Sequence, residues 1–173
     1  MTLAAIGRSI QDVSVFTEVR ESVYVYPIIL SMHLTCIAVF GGLILVTNLR
    51  LLGWMLADVP LDALIQGLRP WKQAGFIVMV TCGALLGASK AEEYLTNPFF
   101  LTKMALLAGV GVHGLYFGGK VYRRDERLIP ASTARAAAVF SLILWIGVVS
   151  MGRWIAYYDP PSAVEQQVSQ PAP

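Results

Sequence analysis

His33 and His113 are the only two histidines in the chain, and each falls inside an apolar run long enough to cross a bilayer. An ionisable side chain in hydrocarbon is costly, so it usually faces a bundle interior and has a partner or a task there. Imidazole is also the common protein ligand of haem iron, and a pair of them would make a small membrane cytochrome. Other groups extend the list. Cys36 follows His33 by one helical turn, Cys82 sits in another apolar run, and Met79, Met104 and Met151 supply thioether sulfur. Lys103 and Arg153 are cations lying just inside apolar runs.

These residues admit three kinds of site. For haem b, His33 supplies one axial bond and Met151 the other, while Lys103 and Arg153 neutralise the propionates. For a quinone, His33 or Arg153 hydrogen-bonds a carbonyl oxygen in a site lined by Tyr26, Phe40 or Trp154. For copper, His33, Cys36, Cys82 and the nearby methionines are suitably soft ligands. Each also has a plain reading. His33 can be a hydrogen-bonded core histidine, the methionines can be packing, and Lys103 can snorkel to the interface. His113, flanked by Gly111 and Gly114, reads as a packing residue where small side chains let helices approach closely.

The elements that position these groups follow from composition. The chain has 173 residues, 56% of them hydrophobic and only 14% charged, with the charges gathered between the apolar runs. Its mean hydropathy of +0.62 is too high for an ordinary soluble domain. Short alternating segments of a β-barrel are missing, so the expected class is all-α, an integral membrane up-down four-helix bundle. The net charge of +2 and the lack of a basic tract give no reason to expect nucleic acid. The start of the chain lacks the pattern of a cleaved secretory signal, so the first apolar run is expected to stay as a membrane helix. Two thiols within predicted spans, Cys36 and Cys82, are a poor setting for a structural disulfide.

Spans are expected at about residues 24–49, 71–89, 99–119 and 136–157, each near the ~20 residues that cross ~30 Å of hydrocarbon. Pro27 suits the first turn of span one, and Asn97-Pro98 reads as a cap followed by the first residue of span three. Trp71 and Tyr157-Tyr158 are expected interfacial anchors. Ahead of span one, residues 9–20 space apolar side chains three and four apart, as in a short amphipathic interfacial helix. Residues 1–158 form one domain, and the Pro- and Gln-rich tail 159–173 is expected to be disordered.

Lysine and arginine counts set the orientation. One side carries Arg50, Arg69, Lys72, Lys120, Arg123, Arg124, Arg127 and Arg135; the other has Arg8, Arg20 and Lys90, diluted by Glu18, Glu21, Glu92 and Glu93. The basic side belongs in the cytoplasm, which places both termini in the periplasm of a bacterial inner membrane. His33 then lies 17 positions before Arg50, and His113 lies 7 before Lys120. At ~1.5 Å per residue the imidazoles differ in depth by roughly 13–16 Å, too much for one haem bridged by both. His33 instead shares a level with Lys103, Met151 and Arg153.

The stretches YPIILSMH, NLRLLG, NPFFLTK and SLILWIGVVSMGRWIAYY resemble a family of small, uncharacterised four-span bacterial inner-membrane proteins. The architecture is also similar to copper-resistance D-type membrane domains and to four-helix b-type cytochromes. The resemblance implies His33, Lys103 and Arg153 as site positions and makes no demand at His113. An acid often stands three residues before the span-one histidine in that pattern; here the place is Leu30, which argues against a carboxylate-dependent proton role. The expected function is haem b binding and electron transfer, as a subunit or partner of a quinone-linked or periplasmic oxidoreductase. The alternatives are copper handling or small-solute transport, and a cofactor-free accessory subunit of a larger membrane complex. Oligomeric state is not legible.

Overall fold

A computed structural model describes residues 2–121 and 130–158, with side chains of the third long helix described up to residue 117. The helices are α1 (Leu3–Gln11), α2 (Ser14–Glu21), α3 (Val25–Leu52), α4 (Leu61–Ser89), α5 (Ala91–Thr96), α6 (Pro98–Val121) and α7 (Ala131–Ile155). Arg123, Arg124, Arg127, the Lys120 side chain and the tail 159–173 lie outside the described residues. Four helices, α3, α4, α6 and α7, are long and apolar enough to cross a membrane. They form an all-α up-down bundle in which α3 packs along α4 and α7, and α7 packs along α6, giving the order α4–α3–α7–α6.

The helix ends follow local chemistry. The Ser22 hydroxyl accepts a hydrogen bond from the Val25 amide at 3.1 Å where α3 begins. At its other end, Gly53 takes φ +77°, and the Gly53 and Trp54 amides close onto the Arg50 and Leu49 carbonyls, a Schellman stop that glycine favours. Asn97 caps α6 as its spacing predicts: its Oδ1 accepts from the Phe99 amide at 2.9 Å and the Phe100 amide at 3.3 Å. Pro98 follows, where its missing N–H is no loss.

Three boundaries differ from the sequence expectation. α4 starts at Leu61 instead of about residue 71, and α7 starts at Ala131 instead of about 136, because the helices continue past their apolar cores, α4 through mixed turns and α7 through a small, polar one. α4 contains Pro70, which cannot donate to the Gln66 carbonyl, so one bond of the ladder is lost at that level. The single N-terminal helix expected over residues 9–20 is two helices. Asp12 ends α1, and Val13, extended at ψ 130°, redirects the chain into α2.

That break lets both short helices dock on the same end of the bundle. Gly7 lies so close to α5 that a Cβ there would come within 2.5 Å of the Glu92 Cα. Arg8 Nε donates to Glu92 Oε1 at 2.5 Å, and Gln11 brackets the same residue through its amide nitrogen and oxygen, both at 3.3 Å. Arg20 donates to the Ser89 carbonyl at 3.3 Å. α1, α2 and α5 therefore cap one end, called here the capped end. The opposite end carries the α3–α4 connection and is called the loop end.

Among the long helices, association depends on close packing and hydrogen bonds, since lipid tails are as apolar as leucine. Phe40 sits buried at the centre, its ring 5.9 Å from Phe76 on α4 and 5.5 Å from Trp145 on α7. Gly147 admits Leu106 of α6, whose Cδ1 would lie 3.1 Å from a Cβ at that position.

Candidate functional site

His33 lies half-buried on α3, in the capped half of the bundle, facing α4. Its Nδ1 is 2.9 Å from the Met79 carbonyl oxygen. A carbonyl can only accept, so Nδ1 carries the proton and the neutral ring keeps its lone pair on Nε2. Gly83 makes room for this ring: a Cβ there would meet His33 Cε1 at 2.8 Å. One residue earlier on α4, Cys82 is buried and lies within electrostatic range of Cys36, one turn beyond His33 on α3. Both thiols are free.

Lys103 joins this level from α6. Its ammonium acts electrostatically on His33, and its stem crosses Gly152 of α7, with Nζ 3.6 Å from where a Cβ would stand. Among the described residues no carboxylate pairs with Lys103 and no hydrogen-bond acceptor serves it. Met151, half-buried, is next to Gly152 on the same turn of α7. The fold thus gathers His33, Lys103 and the Met151–Gly152 turn in the capped half. It does not bring Arg153 inward. That side chain is exposed, donates to the Tyr157 hydroxyl one turn on, and lies 4.7 Å over the Tyr157 ring. Arg153 belongs to an aromatic rim in which Phe99 meets Trp154 at 5.4 Å and Tyr158 at 5.9 Å.

His113 is elsewhere. Its ring packs on Phe117 at 4.8 Å and Phe140 at 5.4 Å, beside the Ala137 backbone near the start of α7. Ala137 and Gly152 are 15 residues apart, about 22 Å along a helix, so the two histidines occupy opposite halves. His113 Nε2 is buried and has no hydrogen-bond partner among the described residues. A concavity lined by Phe117, Ser132, Thr133, Ala136, Ala137 and Phe140 lies next to His113 and remote from His33.

A second polar layer, in the loop half, is not legible as a site in the sequence. Thr47 and Asn48 of α3 are 2% and 3% exposed, and Ser141 of α7 is 9% exposed. Asn48 Nδ2 donates to Ser141 Oγ at 3.1 Å. Lys72 of α4 donates to Thr47 Oγ1 at 2.6 Å, and that hydroxyl donates on to the Leu43 carbonyl at 2.9 Å. The signal in the sequence is slight: two adjacent polar residues close an apolar run, and a lysine follows an interfacial tryptophan.

Among the described residues, no three of His, Cys, Asp and Glu come together as a metal-ligand group. His33, Cys36 and Cys82 share a level without forming one.

Four long apolar helices, an all-helical bundle and ionisable groups turned into it define a multi-pass membrane protein of four spans. The chain belongs to a family of unknown function, DUF6644, whose sequence pattern matches residues 16–158. That agrees with the resemblance to a family of small, uncharacterised four-span proteins. No curated protein and no solved structure matches the chain.

Proposed function

We propose that this chain is a haem b-binding electron-transfer protein of the bacterial inner membrane. In this reading both termini are periplasmic, and the chain serves a quinone-linked or periplasmic oxidoreductase as subunit or partner. The observation that carries the proposal is the hydrogen bond between His33 Nδ1 and the Met79 carbonyl. Metal-ligating histidines use one nitrogen in this way, which fixes the ring and raises the basicity of the other. Gly83 and the α3–α4 interface hold that ring in place. Lys103, a cation without an acidic partner among the described residues, suits a propionate, since an unpaired charge in a low-dielectric interior favours an anion beside it.

When bound, haem b supplies a one-electron iron couple. The chain's own work is to present Nε2 of His33, to offer the Met151 thioether from α7, and to hold negative charge at Lys103. Arg153 would act only from the rim, because its guanidinium is engaged by Tyr157. The His33–Met79 hydrogen bond and the unpaired Lys103 favour this reading over copper handling, for which the described residues gather no three-ligand group.

A reduced-minus-oxidised visible spectrum of protein purified from haem-supplied cells tests it. Sharp α and Soret bands are expected, retained in His113→Ala and lost in His33→Ala. A featureless spectrum from folded wild-type protein overturns the proposal.

A further inference from the structure

The loop half contains a second lysine within a long apolar helix, and its surroundings point to a different ligand. Lys72 Nζ meets one neutral acceptor, Thr47 Oγ1 at 2.6 Å. An ammonium has three N–H donors, so two remain. Among the described residues no carboxylate pairs with it. Its neighbours are already committed: Thr47 to the Leu43 carbonyl and Asn48 to Ser141. The layer holds the lysine stem in a fixed place between α3 and α4 and leaves its positive charge uncompensated.

The depth of this charge identifies the class of anion. Trp71, adjacent on α4, is 68% exposed, and Trp54, just past the end of α3, is 78% exposed. Exposed tryptophans at the ends of apolar helices mark the headgroup level of a bilayer. Arg69 is exposed one turn before Lys72, on the same helix face. The anion abundant at that level is phosphate, which lysine binds as a point charge.

We propose that Lys72, held by Thr47 and flanked by Arg69, binds the phosphate of an anionic phospholipid headgroup at the loop end of the bundle. The site stands apart from the His33 level and does not depend on haem.

The test is native mass spectrometry and thermal melting of the full chain with phosphatidylglycerol, phosphatidylcholine or inorganic phosphate added separately. Wild-type protein should retain phosphatidylglycerol in preference to phosphatidylcholine and melt higher with it. Lys72→Gln, which keeps an amide donor for Thr47, should bind that lipid about tenfold more weakly, the size of losing one charge-assisted contact. Lys72→Arg should restore binding, and Lys90→Gln, at the capped end, should not change it. Equal retention of the two lipids by wild type, or unchanged phosphatidylglycerol affinity in a folded Lys72→Gln, overturns the proposal. An equal, Lys72-dependent response to inorganic phosphate overturns the lipid source.

Discussion

The two halves of the bundle each contain a lysine without an acidic partner among the described residues, and they hold it differently. In the loop half Lys72 is received by Thr47, while Asn48 and Ser141 close on each other, so α3 is hydrogen-bonded to both α4 and α7. In the capped half Lys103 has no acceptor among the described residues, and His33 uses one nitrogen on the Met79 carbonyl. A polar group satisfied by its neighbours pins helices together. One left unsatisfied in a membrane interior is expensive and needs a ligand to offset the cost. The difference separates a lysine seated on one hydroxyl, with two donors left for a headgroup phosphate, from a lysine with no acceptor beside His33.

The strongest way to break this comparison is to neutralise each lysine in turn. Lys103→Met should weaken haem retention roughly 10-fold or more, as loss of one charged hydrogen bond does. Lys72→Met should leave haem retention within twofold, as expected for a distant, independent site (roughly, by additivity). Haem titration of the apoprotein, followed at the Soret band, measures both. Equal losses would show that the two halves are not separate in function.

A finer test asks whether the capped half is tuned for its imidazole. Gly83→Ala places a carbon 2.8 Å from His33 Cε1, which should displace the ring and cost about 1–3 kcal/mol, as overpacking does. Ser141→Ala should cost about 1 kcal/mol by removing the acceptor of Asn48. The two separate by imidazole ¹⁵N NMR, which is simple here because the chain has only two histidines. Wild type and Ser141→Ala should show His33 protonated on Nδ1, and Gly83→Ala should lose that pattern. An unchanged His33 signal in Gly83→Ala would remove the glycine from the site.

The sequence made the long helices and the start of α6 legible because those depend on local chemistry: apolar length, and Asn97 before Pro98. It also placed His33 and Lys103 at one level, since helix rise converts residue number into depth. Azimuth was not legible. Nothing in the spacing told that Arg153 turns outward to Tyr157 while Lys103 crosses Gly152, because rotation about a helix axis is set by packing against neighbours. Gly83 was invisible for the same reason: its role depends on which ring of α3 lies opposite. The break at Asp12-Val13 was missed because apolar spacing alone does not report where α1 must dock on Glu92.

The smallest expected effect concerns the cap that α1, α2 and α5 form on one end. Tyr94 of α5 stacks on Phe100 with ring centroids 5.2 Å apart. Burial first, then hydrogen bonding to the Tyr26 hydroxyl, then the charges of Tyr26 and Glu93 push the Tyr94 phenol well up from its ordinary range. A group whose pKa is raised by folding binds its proton more tightly in the folded state. Its contribution is fully present below the unfolded value of about 10 and is lost as pH rises through the folded value. The Tyr94 contact should therefore weaken in strong alkali, while the Asn48–Ser141 pair of the loop half, having no titrating group, should not respond. In a phenolate absorbance titration one late step should vanish in Tyr94→Phe and move toward lower pH in Tyr26→Phe. If Tyr94→Phe keeps the late step, the buried phenol is another residue, and the alkaline weakness of the cap must be sought elsewhere than at the Tyr26–Tyr94 contact.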